Sequence, residues 1–255
     1  MKNIIYSESE GIAILSFSRI QAMNALNRET FSELNKCLDL LQSDAKQIKV
    51  LILTGEGRSF IAGADISEMK GMTPEEAAVF AQIGKETLMR LEQLPMPVIG
   101  AINGFTLGGG LEVALACDFL IASETAKFSA PEINLGLIPG FGGTLRLPRA
   151  IGINRARYYM LTGAMFTAEE ALQMGLVQKV VPPLDLIQQA MELAKKIAAQ
   201  SLDATRALKA TIFESDNSRH NEALIAETRQ FTRLFAGEAQ EGMAAFLQKR
   251  KPNFQ

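Results

Sequence analysis

The sequence predicts an α/β fold, and two observations support this prediction. In the first half of the 255-residue chain, apolar segments typical of buried strands alternate with segments whose apolar residues recur at helical spacing. From about Gly152 onward the pattern is almost entirely helical, and no low-complexity linker precedes it. Strands that alternate with helices at this interval favour a core in which helices cover a sheet.

The predicted elements of the first half follow in chain order. The strand candidates are GIAILSFS from Gly11, VLILTG from Val50, PVIGAI from Pro97 and DFLIAS from Asp118. These segments are short and rich in apolar and β-branched residues, which favours buried strands. Helices are predicted at residues 29–41 and 74–94, and Pro74 suits the first turn of the second one.

The second half predicts helices and one short strand. Thr167 is a suitable N-cap for a helix that Gly175 ends, and the segment LVQKVVP beyond it is typical of a brief strand closed by two prolines. The further helices are predicted at residues 184–199, 202–214 and 217–235, with a last one ending near Lys249. We expect this helical region to pack against the core or against a neighbouring subunit.

The composition argues against several classes of function. A formal charge of −2 gives no overall attraction to nucleic acid or to an acidic membrane surface. No apolar run reaches the roughly 20 residues that span a bilayer, so we expect a cytoplasmic protein that does not bind a membrane. Cys37 and Cys117 lack metal-ligand spacing and are predicted to be buried free thiols.

The chain contains a single histidine, His220, in a polar segment that predicts a solvent-exposed helix start. This argues against hydrolases with a histidine base and against histidine-rich metal sites. We therefore expect no metal site, and any catalytic acid or base should be a carboxylate.

The segment NGFTLGGGLEVALACD, residues 103–118, contains three consecutive glycines that lead into an apolar helix, in which Glu112 is the only charge before the segment ends at Asp118. The first N–H groups of such a helix lack internal partners and attract negative charge. A phosphate cradle is weakly supported, because neither Gly-Lys-Ser/Thr nor G-x-G-x-x-G is present. An oxyanion that forms during a reaction fits better. On this segment alone, an ordinary strand-to-helix turn with a partly exposed glutamate fits equally well.

Two other segments favour the oxyanion interpretation. RSFIAGADISEM places Gly63, Ala64 and Asp65 after an apolar run, which offers a second loop of backbone N–H donors. FSAPEINLGLIPGFGG carries Glu132, a second lone carboxylate twenty positions after Glu112. Two carboxylates in apolar surroundings are suited to paired acid and base chemistry.

With these motifs in place, the chain resembles the crotonase (enoyl-CoA hydratase/isomerase) superfamily over essentially its whole length. AGADI, the triple-glycine segment, APEINLGLIPGFGG, GLVQKVV and EGMAAFLQKRKPNF occur in the family's order and spacing. The resemblance implies a spiral of ββα repeats over residues 1–195 and a helical region over residues 196–255 that mediates trimer formation. Such trimers commonly pair into hexamers.

The resemblance is strongest to enoyl-CoA hydratases, which carry two catalytic glutamates. It implies that the N–H groups of Ala64 and Gly109 hold the thioester oxygen of an acyl-CoA while that oxygen gains charge. In one assignment Glu112 deprotonates the water and Glu132 protonates the α-carbon; the division of these two roles stays open, because both glutamates could hold the same water. The expected reaction is hydration of a short-chain trans-2-enoyl-CoA such as crotonyl-CoA, with no cofactor apart from the CoA carried by the substrate.

The resemblance also implies contacts with the substrate and its CoA group. The residues are Ala22, Ala62, Asp65, Ile66, Pro131, Gly140, Phe231, Phe246 and Lys249. Phe231 and Phe246 could instead be packing residues of a helix face, and Gly140 could serve the reacting water or a tight turn. Met69, Met72, Phe80 and Phe141 are expected to set the depth of the acyl pocket.

The chain departs from the family pattern where many hydratases carry phosphate-binding lysines, because Gln21 and Ser67 occupy those places. Phosphate attraction is therefore predicted to depend on Lys249, Arg250 or Lys251. Two alternatives stay open: an isomerase or lyase acting on acyl-CoA, and a non-catalytic scaffold or RNA-associated member. The intact glutamate pair argues against a non-catalytic member, and the net charge argues against RNA.

Overall fold

A computed structural model describes residues 1–43, 47–216, 225, 228–229, 231–237 and 239–252. The strands in this part of the chain are β1 (Ile4–Ser9), β2 (Ile12–Phe17), β3 (Val50–Gly55), β4 (Ser59–Ile61), β5 (Val98–Ile102), β6 (Phe105–Leu107), β7 (Phe119–Ser123), β8 (Lys127–Ser129), β9 (Phe166–Thr167) and β10 (Lys179–Val181). They form two sheets.

The helices of the same ranges are α1 (Arg28–Ser43), α2 (Ile66–Met69), α3 (Pro74–Glu92), α4 (Gly109–Leu115), α5 (Gly143–Ile151), α6 (Ile153–Thr162), α7 (Ala168–Met174), α8 (Leu186–Ala198), α9 (Leu202–Asp216) and α10 (Ala239–Leu247). Short 3-10 helices occupy Ile20–Ala22, Pro131–Leu135 and Pro183–Asp185.

The larger sheet has the order β1-β2-β3-β5-β7-β10, and the smaller one has the order β4-β6-β8-β9. β1 pairs antiparallel with β2, and β9 pairs antiparallel with β8, each at one end of its sheet. The inner strands pair parallel. Along the chain, a strand of the larger sheet is followed by a strand of the smaller sheet and then by a helix, as in β5, β6 and α4. The predicted α/β fold and the spiral of ββα repeats are confirmed.

The predicted long elements are confirmed with small shifts at their ends. The four strand candidates correspond to β2, β3, β5 and β7, and the first two helices correspond to α1 and α3. α3 begins with a capping box between Thr73 and Glu76, and α7 begins with one between Thr167 and Glu170. Gly175 ends α7 in the left-handed conformation, as predicted.

The helical second half is confirmed where the structure describes it. α8, α9 and α10 correspond to predicted helices, whereas most of the helix predicted at residues 217–235, including His220, lies outside the described residues. The predicted domain boundary at residues 195 and 196 falls inside α8. α8 packs its buried face on the larger sheet, in an apolar cluster with Val50, Ile52 and Ile99. In the described residues, no helix is long and apolar enough to cross a membrane.

The two cysteines differ in burial. Cys37 is a buried free thiol, as predicted, and burial together with the charge of Glu33 raises its pKa to about 11. Cys117 is also free but only partly buried as a residue. Its neighbour Asp118 accepts hydrogen bonds from the Val98 N–H at 2.6 Å and from Lys209 Nζ at 2.7 Å, and so links the start of β5 to α9.

Candidate active site

The amino end of α4 is held tightly against the smaller sheet. Gly108 precedes the helix with φ 50° and ψ −121°, a backbone conformation that residues other than glycine rarely adopt. Its N–H donates to the Ser129 carbonyl at 2.9 Å. A Cβ on Gly110 would lie 2.0 Å from the Ile61 carbonyl oxygen, so only glycine allows this approach. The N–H of Gly109, at the first position of α4, has no acceptor within the helix.

A second backbone donor lies in the loop between β4 and α2. The Leu26 N–H donates to the Gly63 carbonyl at 2.8 Å, and the Asp65 N–H donates to the Leu26 carbonyl at 2.7 Å. Because successive residues of an extended chain direct their backbone groups to opposite sides, the N–H of Ala64 faces away from Leu26. A Cβ on Gly108 would lie 3.8 Å from the Gly63 Cα, so this loop adjoins the amino end of α4.

Glu112 is buried one turn into α4, with 3% of its surface exposed. Its Oε1 accepts hydrogen bonds from the N–H groups of Phe141 and Gly143, each at 2.7 Å. Gly143 is the first residue of α5, so the carboxylate also lies at the positive end of that helix. Both contacts fix the direction of the Glu112 carboxylate.

Glu132 approaches the same point from the 3-10 helix that begins at Pro131. A Cβ on Gly108 would lie 3.0 Å from Glu132 Oε1, so the carboxyl group packs directly on the glycine that precedes Gly109. The structure therefore brings together the four predicted residues: Ala64, Gly109, Glu112 and Glu132. In the described residues, no cluster of three or more His, Cys, Asp or Glu side chains could hold a metal ion.

An aromatic cluster closes the space behind Gly109. The ring of Phe141 lies between two helices, since a Cβ on Gly109 would be 2.9 Å from it and a Cβ on Gly84 would be 2.2 Å from it. The same ring meets Phe31 and Phe80 edge to face, with centroids 5.3 and 5.6 Å apart. All three rings are buried, as are Met69 and Met72.

Asp65 has a structural role that the sequence analysis did not anticipate. Its Oδ2 accepts from Arg19 Nη1 at 2.6 Å, and its Oδ1 accepts from the N–H of Ser67 at 3.0 Å, which caps α2. Burial opposes ionisation of Asp65, but the hydrogen bonds from Ser67 and Arg19 outweigh it and lower the pKa. The predicted CoA-contacting residue therefore uses its side chain to hold its own loop.

Replacing Asp65 by asparagine will remove a pH-dependent part of the stability. The lowered pKa means that the carboxylate stabilises the fold fully above its unfolded value of about 3.9, and that this stabilisation is lost as the pH falls through the folded value. The free energies of unfolding of the wild type and the Asp65→Asn variant, measured with urea between pH 7 and pH 2, should differ by a constant amount near neutrality. This difference should disappear in acid. A gap of the same size at every pH would contradict this explanation.

The C-terminal residues predicted to contact CoA occupy different settings. Phe231 is 3% exposed and packs on Gly140 of its own chain, where a Cβ would lie 2.9 Å from the ring. Gly140 therefore makes room for this ring within its own chain, and contact of either residue with substrate stays a prediction. Phe246 is 57% exposed, and Lys249 is also exposed. The guanidinium of Arg250 is paired with Glu241 at 2.6 Å.

The other predicted contact residues lie along the same region. Ala22 ends the first 3-10 helix, Ile66 begins α2, and both are half-buried. The N–H of Ala62 donates to the Met23 carbonyl at 3.0 Å. Pro131 begins the segment that carries Glu132. Contact between any of these residues and substrate stays a prediction.

Three polar residues that shape the site were not predicted. The side-chain amide of buried Asn24 donates hydrogen bonds to the carbonyls of Ser59 and Phe60 at 2.9 and 3.2 Å. These bonds hold the loop that contains Asn24 against β4. Arg19 holds Asp65, and Arg146 lies buried behind Glu112. The available signal was weak: Arg146 is a basic residue within the largely apolar segment TLRLP.

Together, the ββα spiral and the meeting of Glu112, Glu132 and two glycine-containing loops at the amino end of α4 define the class of this α/β protein. The chain belongs to the enoyl-CoA hydratase/isomerase family, whose model matches residues 7–255. The resemblance found in the sequence is thus confirmed.

Individual relatives cover almost the whole chain. A crotonyl-CoA hydratase of Syntrophomonas wolfei is 42% identical over 255 residues, which cover 99% of this chain and 98% of the relative. A short-chain-enoyl-CoA hydratase of Clostridium acetobutylicum is 42% identical over 253 residues, covering 98% and 97%. The crystal structure of an enoyl-CoA hydratase from Bacillus anthracis has a TM-score of 0.82 and 38% identity, covering 99% of this chain and 98% of that one.

Proposed function

We propose that this protein is an enoyl-CoA hydratase that adds water to short-chain trans-2-enoyl-CoA and forms a 3-hydroxyacyl-CoA. The observation that carries the proposal is that Glu112 and Glu132 both adjoin the Gly108–Gly109 turn: the Glu112 N–H donates to the Gly108 carbonyl at 3.1 Å, and a Cβ on Gly108 would lie 3.0 Å from Glu132 Oε1. The names of the 42% identical relatives support the same reaction.

The proposed mechanism assigns one task to each of four residues. The thioester oxygen accepts hydrogen bonds from the N–H groups of Ala64 and Gly109, which stabilise the enolate that forms. Glu112 takes a proton from water as the water oxygen bonds to the β-carbon. Glu132 then gives its proton to the α-carbon. Proton exchange with solvent restores both carboxyl groups.

The aromatic cluster supports a short acyl chain. The rings of Phe31, Phe80 and Phe141 are packed edge to face and fully enclosed, so the space beyond Gly109 is already filled by protein. A C4 acyl group needs little additional room. No cofactor is required in this mechanism, because CoA is part of the substrate.

We also propose assembly into trimers or hexamers, through helices that leave apolar side chains in solvent. α6 exposes Ile153 at 51% and Leu161 at 71%, and α9 exposes Leu208 at 63% and Ile212 at 58%. Such surfaces are typical of subunit contacts. In this proposal, residues 196–255 form the main assembly region of a cytoplasmic enzyme, and α6 adds a contact surface from the core at residues 1–195. A monomeric mass in sedimentation equilibrium would contradict the assembly.

The proposed reaction is tested by incubating the purified protein separately with crotonyl-CoA, 3-hydroxybutyryl-CoA and a 3-enoyl-CoA. We expect loss of enoyl absorbance with the first and its gain with the second, approaching the same equilibrium. Conversion of the 3-enoyl-CoA alone would instead identify an isomerase. Absence of turnover with all three would support a non-catalytic member of the family.

A further inference from the structure

Behind the active site, Arg146 of α5 forms a buried bidentate ion pair. Its side chain is 4% exposed, and its Nε and Nη2 donate to the two carboxylate oxygens of Glu92 at 2.8 and 2.7 Å. Because the guanidinium is planar, this fork fixes the direction of the remaining nitrogen. That nitrogen, Nη1, donates to the Phe141 carbonyl at 2.6 Å.

The Phe141 carbonyl lies between the two backbone donors of Glu112. The N–H groups of Phe141 and Gly143 meet Glu112 Oε1, while the carbonyl that separates them along the chain meets Arg146. Gly142, at φ 105°, is the residue of this turn whose backbone can rotate most easily, because glycine changes conformation at little steric cost. Rotation of the Phe141–Gly142 peptide would break the contact with Arg146 and turn the Phe141 carbonyl oxygen toward Glu112, and repulsion between these oxygens would push the carboxylate off its two N–H donors.

Stability alone explains this arrangement poorly. A buried ion pair loses in desolvation much of what it gains in attraction, so such a pair contributes little to stability compared with apolar packing. The structure offers a more specific explanation, since the pair is connected to the turn that holds the carboxylate.

We infer that Arg146 is a positioning residue for Glu112, and that Glu92 acts through it. By holding the Phe141 carbonyl, Arg146 keeps two N–H donors on Glu112 Oε1 and so keeps the carboxylate in the orientation that activates water. Neither residue of the pair touches substrate in this account. The inference rests on the proposed role of Glu112.

The pair also borders a cavity of about 720 Å³ on the far side of α4, lined further by Cys117 and Lys209. A small cation inside this cavity would lie beside the place of the Arg146 side chain without entering the active site. This makes chemical rescue by free guanidinium possible in a variant that lacks the side chain.

The first test compares Arg146→Lys with Arg90→Lys in crotonyl-CoA hydration. Arg90 is the matched control, because it lies on α3 two positions before Glu92 and pairs with Asp39 on α1 at 2.5 Å. We expect kcat to fall about 10²-fold in Arg146→Lys with little change in KM, as for a small misplacement of a catalytic group. The kcat of Glu92→Gln should fall less than that of Arg146→Lys, and the kcat of Arg90→Lys should equal that of the wild type. Millimolar guanidinium should restore part of kcat in Arg146→Ala but not alter Arg90→Ala.

The second test combines Arg146→Lys with Glu112→Gln. If Arg146 acts through Glu112, its substitution adds no further loss once Glu112 is replaced. An equal loss in both backgrounds, or a normal kcat per folded molecule in Arg146→Lys, would overturn the inference. Should Arg146→Ala not fold, the lysine and Glu92→Gln variants still decide. Wild-type turnover in the same assay distinguishes failure of the proposed function from failure of this inference. If the wild type does not turn over crotonyl-CoA, the proposed function is wrong. If the wild type is active and Arg146→Lys is equally active, only the positioning role of Arg146 is refuted.

Discussion

Replacing Glu112 by glutamine will lower kcat for crotonyl-CoA hydration by about 10²–10⁴-fold, the usual contribution of a general acid or base. A glutamine side-chain oxygen can still accept from the N–H groups of Phe141 and Gly143, now 2.7 Å from Glu112 Oε1, so the turn should keep its shape. The lost property is the ability to take a proton from water. Loss of enoyl absorbance, followed at saturating substrate, measures the effect.

Glu132→Gln should show a loss of similar size, because the α-carbon then lacks its proton donor. Glu169→Gln, at an exposed position on α7, is the control and should leave kcat unchanged. Unfolding midpoints close to the wild type would show that each variant is folded. Near-normal turnover in either active-site variant would refute the two-carboxylate mechanism.

Replacing Gly110 by alanine will destabilise the fold by about 3 kcal/mol or more, above the usual range for overpacking. The added Cβ would lie 2.0 Å from the Ile61 carbonyl oxygen and 2.8 Å from its carbonyl carbon. Both are backbone atoms of β4, so neither can rotate aside as a flexible side chain would. The free energy of unfolding from urea titration measures this cost.

Gly237→Ala is the matched control for Gly110→Ala, because the nearest atom to its added Cβ is a carbonyl oxygen 3.9 Å away. Its free energy of unfolding should stay within about 0.5 kcal/mol of the wild type, as for most surface changes. A stable Gly110→Ala variant with normal turnover would mean that α4 can withdraw from β4 without harm to the site.

The long elements and the four central site residues were predictable for physical reasons. β3 and β5 are continuous apolar runs, and α3 has a capping signal at Thr73, so local composition alone indicates them. The glycines before Glu112 and the lone Glu132 stood out because they are costly in their surroundings. Costs of that kind are visible in a sequence even when the partners are not.

The remaining features depend on contacts between distant segments. β4, β6 and β8 are three residues each, too short for a periodic pattern. The approach of Phe231 to Gly140 and the hold of Arg146 on the Phe141 carbonyl arise from the folded chain. A single sequence lists these residues without showing that they meet.

The seating of α10 links the end of the chain to the acid of the proposed reaction. A Cβ on Gly242 would lie 2.1 Å from the Leu135 carbonyl oxygen, in the 3-10 helix that also carries Glu132. During synthesis both glutamates leave the ribosome well before the helix that supports one of them. We therefore expect a nascent chain to carry both glutamates before the helix that supports Glu132 has formed, and to gain the proposed activity only when α10 docks.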